Sequence, residues 1–204
     1  MPARPGPSPI FRQSAPAWGF WAMVAAWIAS EIGLQLRHGG RSRERAAVSQ
    51  DQGSMTRLVI SVWAAVLVGL AASRFLPRFR LPGSGPGAVW SGLTLMAAGM
   101  VLRAWAARTL GRWFTVRVTT LPDQLLLQRG PYRYLQHPGY TGALLTLLGC
   151  LVACANLLGW LMLAPAVSAY LRRMRIEDLA LRQRFGAEHE AYQARRWRLL
   201  PFIH

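Results

Sequence analysis

Arg129 to Gly142 reads Arg-Gly-Pro-Tyr-Arg-Tyr-Leu-Gln-His-Pro-Gly-Tyr-Thr-Gly, which gathers two prolines, three glycines, three tyrosines and a histidine into fourteen residues. Pro131 and Pro138 fix φ, remove backbone donors and push the preceding residue out of the helical region. The run therefore predicts a shaped loop leading into a helix that begins near Pro138. Proline suits a first helical turn, and the open N–H groups there suit a carboxylate or another anion. The first acids after this run in an acid-poor chain are Glu177 and Asp178, beside Arg172, Arg173 and Arg175. Each of these has a plainer reading. The tyrosines could anchor an interfacial loop. His137 could cap or pack. Glu177 and Asp178 could pair with Arg173, Arg182 or Arg184 on a helix surface, and the three arginines could form a lipid collar. What is missing narrows the chemistry. The sequence has no Ser/His/Asp or Cys/His constellation, no paired-carboxylate acid/base site, no metal-ligand spacing, and no Gly-x-Gly-x-x-Gly after a strand.

The elements that must carry these residues read as membrane helices. The 204 residues suffice for one domain; 52% are hydrophobic, only 16% are charged, and nine are tryptophan. All 24 basic residues are arginine, giving a net charge of +16. They cluster at the ends of apolar segments, which points to anionic lipid and away from nucleic acid. Cys150 and Cys154 share a helix face in an apolar run and read as core.

The expected architecture is an all-α integral membrane protein with about five transmembrane helices, a C-terminal helical hairpin and cytoplasmic amphipathic helices. Residues 1–16 read as a loose tail and 17–204 as a single domain. The first span is Ala17 to Leu36, with Glu31 expected to form an interfacial pair with Arg37. A polar loop, Arg37 to Gly53, follows. The second span is Met55 to Leu76 and the third Ala88 to Ala107, with Arg103 snorkelling to the surface. Thr109 to Arg129 should lie at the interface. Thr141 to Leu171 is too long for one untilted span and reads as a hairpin, Thr141–Ala155 and Leu157–Leu171. Beyond it, Met174, Leu179, Leu181, Phe185 and Tyr192 mark an apolar helix side, and Gly186 should break that helix in two. With five spans, nineteen of the arginines fall on the side of the 103–138 segment and the C-terminus, against five on the other. The positive-inside rule then puts the central stretch in the cytoplasm.

Gly130-Pro131-Tyr132, with His137-Pro138-x-Tyr140-x-Gly142, resembles the signature of the isoprenylcysteine carboxyl methyltransferase family, membrane enzymes that use S-adenosylmethionine. Leu110-Gly111-Arg112-Trp113-Phe114-Thr115 is also similar, and the resemblance runs from about Leu110 to Ile203. It implies a cofactor region within about 109–204. Gln124, Leu125, Leu126, Leu127, Tyr132, His137, Pro138, Gly139, Tyr140 and Glu177 would line the cofactor, and no metal is implied. Arg173 would contact the methyl-accepting carboxylate, and Arg195 would match the basic residue before the family's Val-Pro segment. Three positions depart from the pattern: Gln136 replaces an Arg, Arg196-Trp197 replaces Val-Pro, and His189 replaces a frequent Tyr.

Methyl transfer from a sulfonium needs alignment more than acid/base machinery, which agrees with the missing constellations. Tyr132, Tyr134 and Tyr140 could face the sulfonium, and Glu177 or Asp178 could meet the cofactor amine or ribose. The expected activity is methyl transfer to a lipophilic small molecule or lipidated substrate in contact with membrane lipid, through a carboxylate. Two alternatives stand beside it: methylation of a phospholipid amine, and NADPH-dependent reduction of the sterol-reductase-like type.

Overall fold

The structure is a computed structural model and describes residues 8–45, 53–115 and 125–199. These residues form helices α1 (Ala15–Arg45), α2 (Ser54–Phe75), α3 (Pro86–Leu110), α4 (Pro138–Cys154), α5 (Leu157–Leu161), α6 (Leu163–Phe185) and α7 (Ala187–Ala194), with no strand among the described residues. Among the described residues, three stretches are long and apolar enough to cross a membrane: Ala15–Arg37, Ser54–Phe75 and Pro86–Trp113. Ile60, Leu67 and Val101 stand exposed on their outer faces, as lipid-facing residues do. The other two expected spans correspond to the hairpin. Its first arm, α4, has seventeen residues, about 25 Å of helix at 1.5 Å per residue.

The tightest packing joins α3 and α4. Gly92 and Gly99 on α3 meet Gly149 and Gly142 on α4 in antiparallel register. A Cβ at Gly99 would lie 2.5 Å from the Gly142 carbonyl oxygen, and one at Gly92 2.5 Å from that of Gly149. Without a hydrophobic drive between helices in lipid, such close backbone approach is a main source of association. Met96, Leu147, Cys150 and Leu151 fill the core beside it, with Cys150 and Cys154 as free buried thiols.

The hairpin turns at Ala155-Asn156, as the sequence predicts. Ala155 takes a left-handed conformation, φ 46°. Asn156 caps α5 by accepting from Leu158 N–H at 3.0 Å and donates to the Leu76 carbonyl at 3.3 Å. Leu81 N–H reaches the Ala155 carbonyl at 2.9 Å. The α2–α3 turn and the hairpin turn thus share one end of the bundle. The two arms touch each other only over a short stretch, where Tyr140 and Ala143 meet Tyr170 and Met174. Elsewhere α4 lies on α3 and α6 on α2.

Several boundaries depart from expectation. Helix α1 runs on to Arg45, so the polar run after Leu36 begins as helix. Within the expected tail, Pro9–Phe11 form a 3-10 turn that places Ile10 fully inside the core, and Trp21 Nε1 donates to the Ile10 carbonyl at 3.0 Å. Helix α6 ends at Gly186, φ 51°, where α7 begins, as expected. Leu179 is exposed while Met174 and Tyr192 are buried, so the apolar side is narrower than predicted.

Glu31 is the clearest correction. It pairs with Arg103 and not Arg37: Arg103 Nε lies 2.5 Å from Oε1 and Nη2 2.8 Å from Oε2, while Nη1 donates to the Gly139 carbonyl at 3.2 Å. Arg103 therefore does not snorkel. A charged group within a span is costly unless paired, and the two ionisable groups of α1 and α3 satisfy each other.

Candidate active site

The end of the bundle opposite the hairpin turn, where the two arms meet at Tyr140 and Tyr170, holds a cavity. Four stretches build it. The Pro131 and Pro138 kinks form the first, running from a 3-10 turn at Gly130–Arg133 into α4. Tyr132 and His137 face inward from this stretch, and Tyr140 from the first turn of α4. The second is one face of α6: Tyr170, Arg173, Glu177 and Leu181 recur at helical spacing and all reach the cavity. The third is Leu125 to Leu127 with Trp113 and Phe114. The fourth is formed by Glu31, Leu34, Met55, Leu58 and Arg103 from the spans.

Tyr140 ties the two motif segments together. Its hydroxyl donates to Glu177 Oε2 at 2.5 Å and accepts from Arg173 Nε at 3.1 Å. Its ring stacks on His137, with centroids 5.6 Å apart, and lies 5.8 Å from Tyr170. Arg173 is only 2% exposed and also donates from Nη1 to Ser54 Oγ at 3.1 Å, joining α6 to α2. It is a buttress of the cavity wall and not a surface collar.

A second layer sits behind the wall. His137 Nε2 meets Asp178 Oδ1 at 2.9 Å, and Arg198 Nη2 meets Oδ2 at 3.2 Å. Burial alone would raise the Asp178 carboxyl. The hydrogen bond and charge of His137, with Arg198, outweigh it and hold the group below its ordinary value. Burial raises Tyr132 well above the ordinary phenol value, assisted by the Glu177 charge, so Tyr132 stays neutral. The C-terminal segment clamps the motif loop. Gln136 N–H donates to the Trp197 carbonyl at 2.8 Å, and Tyr192 Oη reaches the carbonyls of Tyr132 and Leu135 at 2.9 and 3.1 Å. Gln136 Nε2 donates to the carbonyls of Gln193 and Arg196 at 3.0 and 2.8 Å. His189 is 2% exposed with both ring nitrogens unpartnered among the described residues.

The sequence-predicted residues divide clearly. Leu125, Leu126, Leu127, Tyr132, His137, Gly139, Tyr140, Arg173 and Glu177 all line the one cavity. Pro138 is buried beneath it. Arg195 is exposed just past the end of α7, and its side chain is not among the cavity-lining residues. Tyr134 is 54% exposed and faces away. Gln124 lies outside the described residues, as does the Pro201-Phe202-Ile203 end. The helix start offers fewer donors than expected, because Tyr140 and Thr141 N–H both turn back to the His137 carbonyl at 3.0 Å. Sequence reasoning missed Glu31, Arg103 and Tyr170 as cavity residues and named Tyr192 only for the apolar side of the C-terminal helices. Two opposite charges inside separate spans were the available signal for Glu31 and Arg103.

Known proteins resemble this chain in the same region and beyond it. The model of the isoprenylcysteine carboxyl methyltransferase (ICMT) family matches residues 92–183. A protein of Oryza sativa subsp. indica named "Probable protein-S-isoprenylcysteine O-methyltransferase" is 29% identical over 93% of this chain and 97% of its own length. Protein-S-isoprenylcysteine O-methyltransferase B of Arabidopsis thaliana is 30% identical over 55% of this chain and 58% of its own. In fold, the chain is similar to a eukaryotic intramembrane Ras methyltransferase, isoprenylcysteine carboxyl methyltransferase, with a TM-score of 0.61, 22% identity, and coverage of 92% of this chain and 67% of the other. The family match spans most of α3, the motif loop, the hairpin and the acidic pair, which build much of the cavity, and over this segment the chain, an integral membrane enzyme of the methyltransferase class, is similar to the isoprenylcysteine carboxyl methyltransferase family.

Proposed function

We propose that this enzyme methylates the carboxylate of a lipophilic, prenylcysteine-like acceptor with S-adenosylmethionine, in a cavity that faces the cytoplasm. The observation that carries the reading is the Arg173–Tyr140–Glu177 relay, which brings both motif segments to one cavity. The cavity also fits the cofactor. Tyr132 and Tyr140 offer aromatic faces suited to a sulfonium. Tyr140 occupies Oε2 of Glu177 and leaves Oε1 as an acceptor for an amine or ribose hydroxyl. When bound, S-adenosylmethionine supplies a methyl group already activated for in-line displacement.

The chain then has to align two partners and exclude water, and it needs no general base because the acceptor is already ionised. Leu125 to Leu127 and Trp113 close the cavity on the loop side, while Leu34, Met55 and Leu58 provide an apolar wall toward the spans, suited to a lipid chain. Among the described residues, two arginines and two glutamates line the cavity. Their charges balance, so a cofactor of net charge +1 and a carboxylate of −1 can enter together without leaving a net buried charge. An amine acceptor would lack that balance, and the family match lends no support to amine methylation or to nicotinamide-dependent reduction.

The test is purified protein in detergent with methyl-labelled S-adenosylmethionine and N-acetyl-S-farnesylcysteine. Base-labile methyl ester is the expected product. S-adenosylhomocysteine binding together with label found only on amine lipid would sink the carboxylate reading.

A further inference from the structure

Among the described residues, two arginines line the cavity, Arg103 and Arg173. Arg173 is almost wholly buried and committed to Tyr140 and Ser54. Gln136, where the family pattern has an arginine, spends its amide on two backbone carbonyls of the C-terminal segment. Arg195 is outside the cavity. Arg103 is different. Its side chain is 20% exposed within the cavity. Glu31 takes Nε–H and one Nη2 hydrogen, and the Gly139 carbonyl takes one Nη1 hydrogen. A guanidinium has five N–H donors, so one hydrogen on each Nη remains among the described residues. Glu31 thus fixes the plane of the guanidinium by one edge, which is the preorganisation a second bidentate carboxylate needs.

The placement agrees. Gly139, whose carbonyl holds Arg103, directly precedes Tyr140, and Leu34, Met55 and Leu58 bring apolar surface to the same cavity from α1 and α2. We propose that Arg103, oriented by Glu31, receives the acceptor's carboxylate and sets the enzyme's preference for an anionic acceptor, while Arg173 acts as a positioning residue for Tyr140 and Glu177. The assignment rests on the carboxyl-methylation reading for the name of its ligand. It concerns binding, and can be read without turnover.

The experiment compares binding of N-acetyl-S-farnesylcysteine with that of its methyl ester, to detergent-purified protein saturated with S-adenosylhomocysteine. Wild type is expected to prefer the acid by tenfold or more. Arg103→Gln is expected to bind acid and ester alike, with S-adenosylhomocysteine affinity within threefold of wild type. Arg103→Lys keeps a charge beside Glu31 and carries the same test where the glutamine variant fails to fold. It should lose at least fivefold of the preference, since a point charge does not hold a carboxylate in two parallel bonds. Equal binding of acid and ester by wild type, or an undiminished preference in both folded variants, overturns the proposal. So does a loss of S-adenosylhomocysteine affinity with the acid preference intact, which would assign Arg103 to the cofactor's carboxylate. A wild type that prefers the acid through Arg103 but forms no methyl ester would leave this assignment standing and remove the proposed reaction instead.

Discussion

The Tyr140 hydroxyl is one oxygen serving two charged partners, and its removal is the sharpest test of the cavity. Tyr140→Phe keeps the ring against His137 and Tyr170 and leaves Arg173 Nε and Glu177 Oε2 without their shared partner. A hydrogen bond to a charged group contributes roughly 1.5–3 kcal/mol. If the relay holds Glu177 in position for the cofactor, S-adenosylhomocysteine affinity should fall on the order of ten- to a hundred-fold, as read by calorimetric titration; unchanged affinity in a folded variant would separate the relay from the pocket. His189 makes a different prediction. Burial lowers its pKa, as do the charges of His137 and Arg182, against the opposing influence of Asp178 and Glu177. Between the ordinary histidine value of about 6.5 and the lowered one, the unfolded chain binds a proton that the folded chain refuses. The stability contribution is therefore complete above that ordinary value and is lost as pH falls through the lowered one. Asp178 is also held low, so its contribution persists down to the carboxylate range and does not interfere. The melting temperature in detergent should drop between pH 7.5 and 5.5 for wild type, and drop less for His189→Phe. Parallel curves for the two proteins would count against the argument.

At the scale of elements, the α3–α4 contact is what places Arg103 beside Gly139. A Cβ at Gly99 would meet backbone atoms of α4 at 2.5 Å, which cannot swing aside as a side-chain tip can. Gly99→Ala should cost on the order of 1–3 kcal/mol through overpacking, with loss of S-adenosylhomocysteine binding as the helices part. Gly33→Ala, where an added Cβ meets nothing within 4 Å, should be neutral or stabilising by up to about 1 kcal/mol through helix propensity. Thermal melts of the two variants side by side check the claim, and equal stabilities would contradict it. The glycines of this contact carry no hydropathy signal, which is why the sequence showed where α3 and α4 run but not that they touch so closely. The helix start at Pro138, the turn at Asn156 and the break at Gly186 were legible because proline, asparagine and glycine act locally on the backbone. The extension of α1 to Arg45 was not legible, since a polar run of arginines looks the same in a loop or in the last turns of a helix.

For the molecule as a whole, the legible part of the site was the part contributed by contiguous motifs: Tyr132, His137, Tyr140, Arg173 and Glu177 were named from sequence and meet in one cavity. Glu31 and Arg103 are 72 residues apart, and nothing local links them. Pairing each with its nearest surface was the natural reading until the packing of α1 on α3 was known. That assembly also fixes which loops share an end. The α1 residues Leu34 and Gln35, the start of α2 at Met55, the motif loop and α7 lie at the cavity end, while the α2–α3 turn joins the hairpin turn at the other, through Leu81 and Asn156. Nineteen of the 24 arginines belong to the sequence segments assigned to the cavity side, which by the positive-inside rule supports the proposal that the cavity faces the cytoplasm, where the proposed cofactor is available. Cys150 and Cys154 are buried and free, so a background with both replaced by alanine permits single-cysteine labelling. Glu188 is exposed on α7 at the cavity end, and Gly87 is exposed at the start of α3 at the other. In intact cells an impermeant maleimide should modify Gly87→Cys and leave Glu188→Cys untouched until the membrane is opened. The reverse pattern would turn the cavity outward, away from the cofactor pool, and the proposed reaction would lose its methyl supply even with every residue of the cavity in place.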